Sequence, residues 1–172
     1  MSTNIDFQKK YKEYGEMLYR IAFVFLGNPD DTEDILQEVF ISLLYNSPEF
    51  KTKEHEKAWL IRITQNKCIN FLKSSSRKTL PIDELKLPTY SENHEEKIDI
   101  VKNILSLPPK YKTAVILYYY NDYSVEKIAK ILKISKSAVK MRLKRAREIL
   151  KIDKDYEISI ILVDAEEIHQ IN

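Results

Sequence analysis

Residues 134–151 read "ISKSAVKMRLKRAREILK" and hold seven bases against one acid: Lys136, Lys140, Arg142, Lys144, Arg145, Arg147 and Lys151 against Glu148. At 100° per residue, Val139, Leu143, Ala146 and Leu150 fall on one apolar face. Ser137, Lys140, Met141, Lys144 and Arg147 fall outside it, with Lys136 at the exposed N-terminal end. Just upstream, Ser124 caps a helix that runs to about Leu132, a short turn follows, and Ser135 caps the basic helix. Two short helices joined by a tight turn, the second strongly basic, form a helix-turn-helix pattern. The N-terminal part of such a helix reads base edges and the remainder holds phosphates. A merely solvated surface helix is the alternative. Such helices mix signs at four-residue spacing, and this one barely does.

So much positive charge is unexpected in a chain of 172 residues whose formal net charge is only +2. The charge is segregated. Residues 51–78 carry net +6 and residues 125–151 net +8, while residues 79–100 carry −4, residues 152–172 carry −5, and "DDTEDILQE" at 30–38 has five acids and no base. Two separate basic blocks suggest two contacts with a polyanion.

Moving outward, helical periodicity accounts for the rest. Tyr14, Met17, Leu18, Ile21 and Phe25 predict a helix over 11–26, closed by "GNP" at 27–29, where Gly27 is suited to a left-handed cap. A second helix starts at Asp30 or Asp31, with acids in its first turn and an apolar stripe of Ile35, Leu36, Val39, Phe40, Leu43 and Leu44. "NSPEF" breaks it, and a third helix runs from about Lys57 to Lys73. Residues 74–97 contain two prolines, serines and mixed charge, the composition of a flexible linker. Shorter helices follow at about 98–106, 108–120, 124–132 and 136–151. Only two glycines are present, and strand turns favour glycine, which argues against an all-β fold. The fold class is all-α: a helical domain over 1–76, a linker over 77–97, a helix-turn-helix domain over 98–151 and an acidic tail over 152–172.

The third helix carries a second candidate surface. Trp59, Arg62, Asn66, Asn70, Lys73 and Arg77 step by three or four and form one stripe, opposite Leu60, Ile61, Thr64, Cys68, Phe71 and Leu72. An aromatic ring among amides and cations is suited to stacking on an unpaired base while holding its backbone. Periodicity alone serves equally well a Trp59 that only covers the core edge. On the second helix, Asp30, Asp34, Gln37 and Ile41 face solvent. That acidic face repels DNA; it either binds a basic protein surface or is simply hydrated.

Other chemistry finds no support. One cysteine, Cys68, forbids an internal disulfide, and His55, His94 and His169 lack metal-ligand spacing. No glycine-rich phosphate loop or nucleophile–base arrangement is present, so no enzyme, metal or cofactor is expected. No apolar run reaches bilayer length and no signal-peptide pattern opens the chain, so a cytoplasmic protein without direct membrane insertion is expected.

Four stretches carry a family resemblance: "DDTEDILQEVF", "AWLIRITQNKCINFLK", "LPPKYKTAVILYYYNDYSVEKIAKIL" and "ISKSAVKMRLKRAREIL". In this order and spacing, across residues 10–151, they resemble the extracytoplasmic-function group of bacterial sigma factors. The resemblance implies a protein that binds core RNA polymerase and promoter DNA, and whose activity an anti-sigma factor restrains. It implies docking on the polymerase clamp through Asp34, Gln37, Glu38 and Ile41. It implies that Trp59, Arg62, Asn66, Lys67, Asn70 and Lys73, with the loop at 46–56, open the promoter element nearer the start site. Lys136, Ser137, Lys140, Met141, Lys144 and Arg147 would read the distal element as duplex. A stand-alone, dimeric helix-turn-helix regulator is the rival reading.

Some positions depart from the family pattern. Lys133 stands where glycine is common in the turn, at a cost of about 1 kcal/mol if its φ is positive. Ser137 and Ala138 replace a common glycine–threonine opening of the recognition helix, and Met141 replaces a common serine, so promoter preference does not transfer. The tail lies beyond the resemblance. Its apolar run Ile158–Val163 and net −5 suggest packing beside the helix-turn-helix, in preference to covering its basic face as a brake, or else a disordered end.

Overall fold

The computed structural model describes residues 2–74 and 102–151. The chain divides into two units, Met1–Thr79 and Leu80–Asn172, each with its own core. Every regular element among the described residues is helical. The expected linker at 77–97 and the tail at 152–172 lie outside the described residues.

Unit 1 is a bundle of α1 (Ser2–Leu26), α2 (Pro29–Asn46) and α3 (Lys53–Ser74), each packed on the other two. The reason is the apolar spacing. Tyr14, Leu18, Ile21 and Phe25 of α1, Ile35, Leu36, Val39 and Phe40 of α2, and Leu60, Ile61 and Cys68 of α3 are all buried. Gly27 does adopt a left-handed conformation, with φ 64°, and its N–H closes on the Phe23 carbonyl at 2.8 Å. The cap of α2 differs from expectation. Asn28 fills it, its side-chain oxygen accepting from the Asp31 N–H at 3.0 Å, and Pro29 takes the first helical position, where its missing N–H costs nothing. Helix α1 starts well before residue 11. Helix α3 begins at Lys53 rather than Lys57 because Thr52 caps it: its hydroxyl accepts from the His55 N–H at 3.1 Å and its carbonyl from the Glu56 N–H at 3.1 Å.

Unit 2 contains a short helical stretch at 102–106 (α4), then α5 (Pro109–Val115), α6 (Val125–Leu132) and α7 (Lys136–Leu150). Helix α5 does not stay regular to residue 120. Ile116–Tyr120 widen into a π turn, marked by the Asn121 N–H bonded to the Ile116 carbonyl at 3.2 Å. Ser124 and Ser135 cap α6 and α7, accepting from Lys127 and Ala138 N–H groups at 3.2 and 3.0 Å. Val139, Leu143, Ala146 and Leu150 are buried. Each buried valine or leucine contributes roughly 1.5–3 kcal/mol. Between the helices, Lys133 takes a left-handed conformation (φ 55°, ψ 46°), and the N–H of Ile134 bonds back to the Ala129 carbonyl at 3.1 Å. The strain foreseen for a lysine in this turn is therefore present.

Candidate protein and nucleic-acid interfaces

On α2, Asp34, Gln37, Glu38 and Ile41 are all exposed. Ile41 is 52% accessible, and Tyr45, one turn further on, is 75% accessible. The face thus grades from carboxylates at Asp30 and Asp34 to an apolar end at Ile41 and Tyr45. An aromatic residue with an apolar neighbour in such a place is what a protein partner desolvates. Tyr45 was missed because it ends the helix, beyond the buried stripe; its signal is the four-residue step from Ile41. Glu38 is the member of the set that is partly engaged inside the unit, accepting from Lys67 of α3 at 3.1 Å.

On α3, the burial pattern follows the sequence stripe. Leu60, Ile61, Thr64 and Cys68 are buried, Asn66, Asn70 and Lys73 are exposed, and Arg62 and Lys67 are half-buried. Arg77 lies outside the described residues. Trp59 is half-buried and meets the ring of Phe50 edge-on at 5.6 Å, while Phe50 meets His55 edge-on at 5.7 Å. One edge of Trp59 packs against the loop, and the side chain keeps accessible surface. In the sequence Phe50 belongs only to the helix-breaking "NSPEF". Its hydrophobicity two residues after Pro48 is the available signal.

Behind this aromatic group lies a buried polar cluster. Glu56, 6% exposed, accepts from Lys10 Nζ at 2.5 and 2.7 Å and from the Tyr14 hydroxyl at 2.9 Å. Burial, reinforced by the Glu56 hydrogen bond, pushes the Tyr14 hydroxyl well above the usual tyrosine range, so it remains a donor. Nearby, Lys53 donates to Glu13 at 3.2 Å, and that bond holds the Glu13 carboxyl below its ordinary value.

On α7, Lys136, Ser137, Lys140, Met141 and Lys144 are exposed, Met141 at 54%. Lys136 lies 3.5 Å from Glu126 of α6, an exposed pair that ties the two helices only loosely. Arg147 departs from the expected outward placement. It is half-buried and donates to the hydroxyl of Tyr119, a residue of the π turn, at 2.9 Å. One of its guanidinium nitrogens is thus engaged within the unit.

A sigma-70 region 2 family model matches residues 11–78, and a sigma-70 region 4 model matches residues 99–150. The RNA polymerase sigma factor SigV of Bacillus subtilis (strain 168) is 31% identical over 142 residues, covering 81% of this chain and 86% of that protein. The chain belongs to the extracytoplasmic-function group of RNA polymerase sigma factors. The ECF RNA polymerase sigma factor SigW of the same organism is 30% identical over 155 residues, 80% of this chain and 83% of that one. Two solved structures share the fold. One is of CnrH in complex with the cytosolic domain of CnrY (TM-score 0.62, 21% identity, 84% of each chain). The other is of the sigma factor RpoE in complex with the anti-sigma factor NepR from Bartonella quintana (TM-score 0.65, 21% identity, 87% of this chain and 99% of that one). As a sigma factor, the chain binds core RNA polymerase and directs it to promoters. Region 2 takes in α2, α3 and most of α1; region 4 takes in α5–α7. No helix among the described residues is long and apolar enough to cross a membrane.

Proposed function

We propose a division of labour among the three surfaces. The α2 face of Asp34, Gln37, Glu38 and Ile41, extended by Tyr45, docks on a basic surface of core polymerase. Trp59, Arg62, Asn66, Lys67, Asn70 and Lys73, with the loop before α3, hold the proximal promoter element as its strands part. Lys136, Ser137, Lys140, Met141, Lys144 and Arg147 contact the distal element as duplex, Arg147 while also donating to Tyr119 within the unit. The chain itself performs no bond chemistry; catalysis belongs to the polymerase, in the cytoplasm. An anti-sigma factor restrains the protein, a reading supported by the solved complex of the sigma factor RpoE with the anti-sigma factor NepR from Bartonella quintana.

The observation that carries this reading is the separation of charge onto opposite tasks. An exposed acidic-to-apolar face lies on α2 of one unit, and an exposed basic face lies on α7 of the other. The rival reading, a stand-alone dimeric helix-turn-helix regulator, leaves the region 2 match over residues 11–78 without a role. The test is polymerase capture by the full chain. Asp34→Arg places like charge against a basic surface and should weaken capture by about 1 kcal/mol or more, roughly fivefold. Lys144→Ala should leave capture unchanged. Undiminished capture by the Asp34 variant removes α2 from the docking surface.

A further inference from the structure

Among the described residues, Glu56 is the only buried carboxylate. It sits in the first turn of α3, three residues before Trp59, and its donors come from α1: Lys10 on both oxygens and Tyr14 on one. Lys53, in the same first turn, reaches back to Glu13 of α1. On the other flank of this turn, Phe50 bridges His55 and Trp59 by ring edges. The start of α3 is thus gripped from one side by directional polar bonds and from the other by the aromatic loop.

Stability is a poor explanation for the buried group. Replacing a buried ion pair by well-packed apolar side chains of similar volume is often neutral or stabilising. What an apolar replacement loses is direction. Apolar faces tolerate sliding and rotation, whereas a carboxylate held by three hydrogen bonds admits one setting of helix on helix. Glu56 and Trp59 are separated by about 4.5 Å along the helix axis. A small rotation of the first turn therefore moves the indole and, through Phe50, the loop.

We propose that the Lys10–Tyr14–Glu56 network is a positioning device for promoter opening. It fixes the first turn of α3 on α1 and so sets where Trp59 and the loop at 47–52 meet the separated strand. This rests on the reading of Trp59 given above. None of the three residues touches DNA; they act through α3.

The test replaces the network by apolar groups of similar volume in the full chain: Lys10→Met, Tyr14→Phe and Glu56→Met together. Transcription with core polymerase is measured on a duplex promoter and on the same promoter carrying a pre-melted mismatch bubble. Ile21→Val, at a fully buried position of α1, serves as a control for simple loss of stability. The triple variant should melt near the parent temperature, lose about tenfold on duplex and recover to within about twofold on the bubble, since a misplaced group costs most where geometry must be met unaided. Parental transcription on duplex at parental melting temperature overturns the proposal. Should the triple variant melt early, Glu56→Gln carries the test, because it keeps an acceptor for Tyr14 and drops the ion pair. Its duplex-to-bubble ratio must fall below that of the Ile21 control, and a ratio equal to the control overturns the proposal. Trp59→Ala is run alongside. If it too lacks a duplex-specific defect, the strand-opening reading of α3 fails; if it alone shows one, only the positioning role fails.

Discussion

Trp59→Ala tests the strand-opening surface and its packing role at once. Removing an aromatic stack costs about 1–3 kcal/mol per base, so open complexes on duplex promoter should fall by roughly five- to 150-fold. The edge-on contact with Phe50 at 5.6 Å is also lost. Such a pair contributes about 0.5–1.5 kcal/mol beyond area burial, which for a unit of this size lowers the melting temperature by roughly 2–12 °C. The two losses separate by template. A promoter already melted by a mismatch bubble removes the cost of opening, so transcription there should recover most of the way while the thermal defect persists. Open complexes are read by reactivity of unpaired thymines on each template, and stability by the loss of helical circular dichroism on heating. Equal defects on duplex and bubble, with a lowered melting temperature, would refute the stacking role and leave Trp59 as a packing residue.

Three further outcomes follow from unit 2. Lys144→Ala should weaken binding to all promoter sequences and reduce the salt dependence by about one ion, whereas Lys140→Ala should also change the preferred distal hexamer in a randomised-promoter selection; an unchanged hexamer means α7 is turned otherwise in the groove. Arg147→Ala should lower the melting temperature of the protein and Lys144→Ala should not, because only Arg147 donates to Tyr119; equal thermal behaviour would leave Arg147 to the DNA face alone. Lys133→Gly should relieve about 1 kcal/mol of left-handed strain and raise the melting of unit 2 by roughly 4–8 °C, and a fall would show that the turn is held by the lysine side chain.

Helix identity and helix faces were legible because they are local. Val139, Leu143, Ala146 and Leu150 fall inward by period alone, and Ser124 and Ser135 announce their caps within three residues. What escaped the sequence is what depends on partners far along the chain. Glu56 reads as a surface acid inside a basic block; only the approach of Lys10 and Tyr14, 46 and 42 residues earlier, makes it a buried acceptor. Arg147 reads as one more outward cation until Tyr119, 28 residues before it, accepts its hydrogen bond. Glu38 and Lys67 were assigned to separate surfaces, yet they meet across α2 and α3 at 3.1 Å. Periodicity fixes the direction of a side chain from its own helix axis. It carries no information on which other helix arrives there.

On the proposed division of labour, the chain docks on core polymerase through α2 and confers promoter choice through two separate DNA surfaces, on α3 and α7. In vitro transcription on genomic fragments with core polymerase tests it most directly. Defined start sites should appear only when the chain is added, should weaken by roughly fivefold or more with Asp34→Arg, and with Trp59→Ala should become weak on duplex and recover most of the way on a pre-melted template. Transcription indifferent to the added chain, together with tight binding of the free protein to duplex DNA as a dimer, would contradict it.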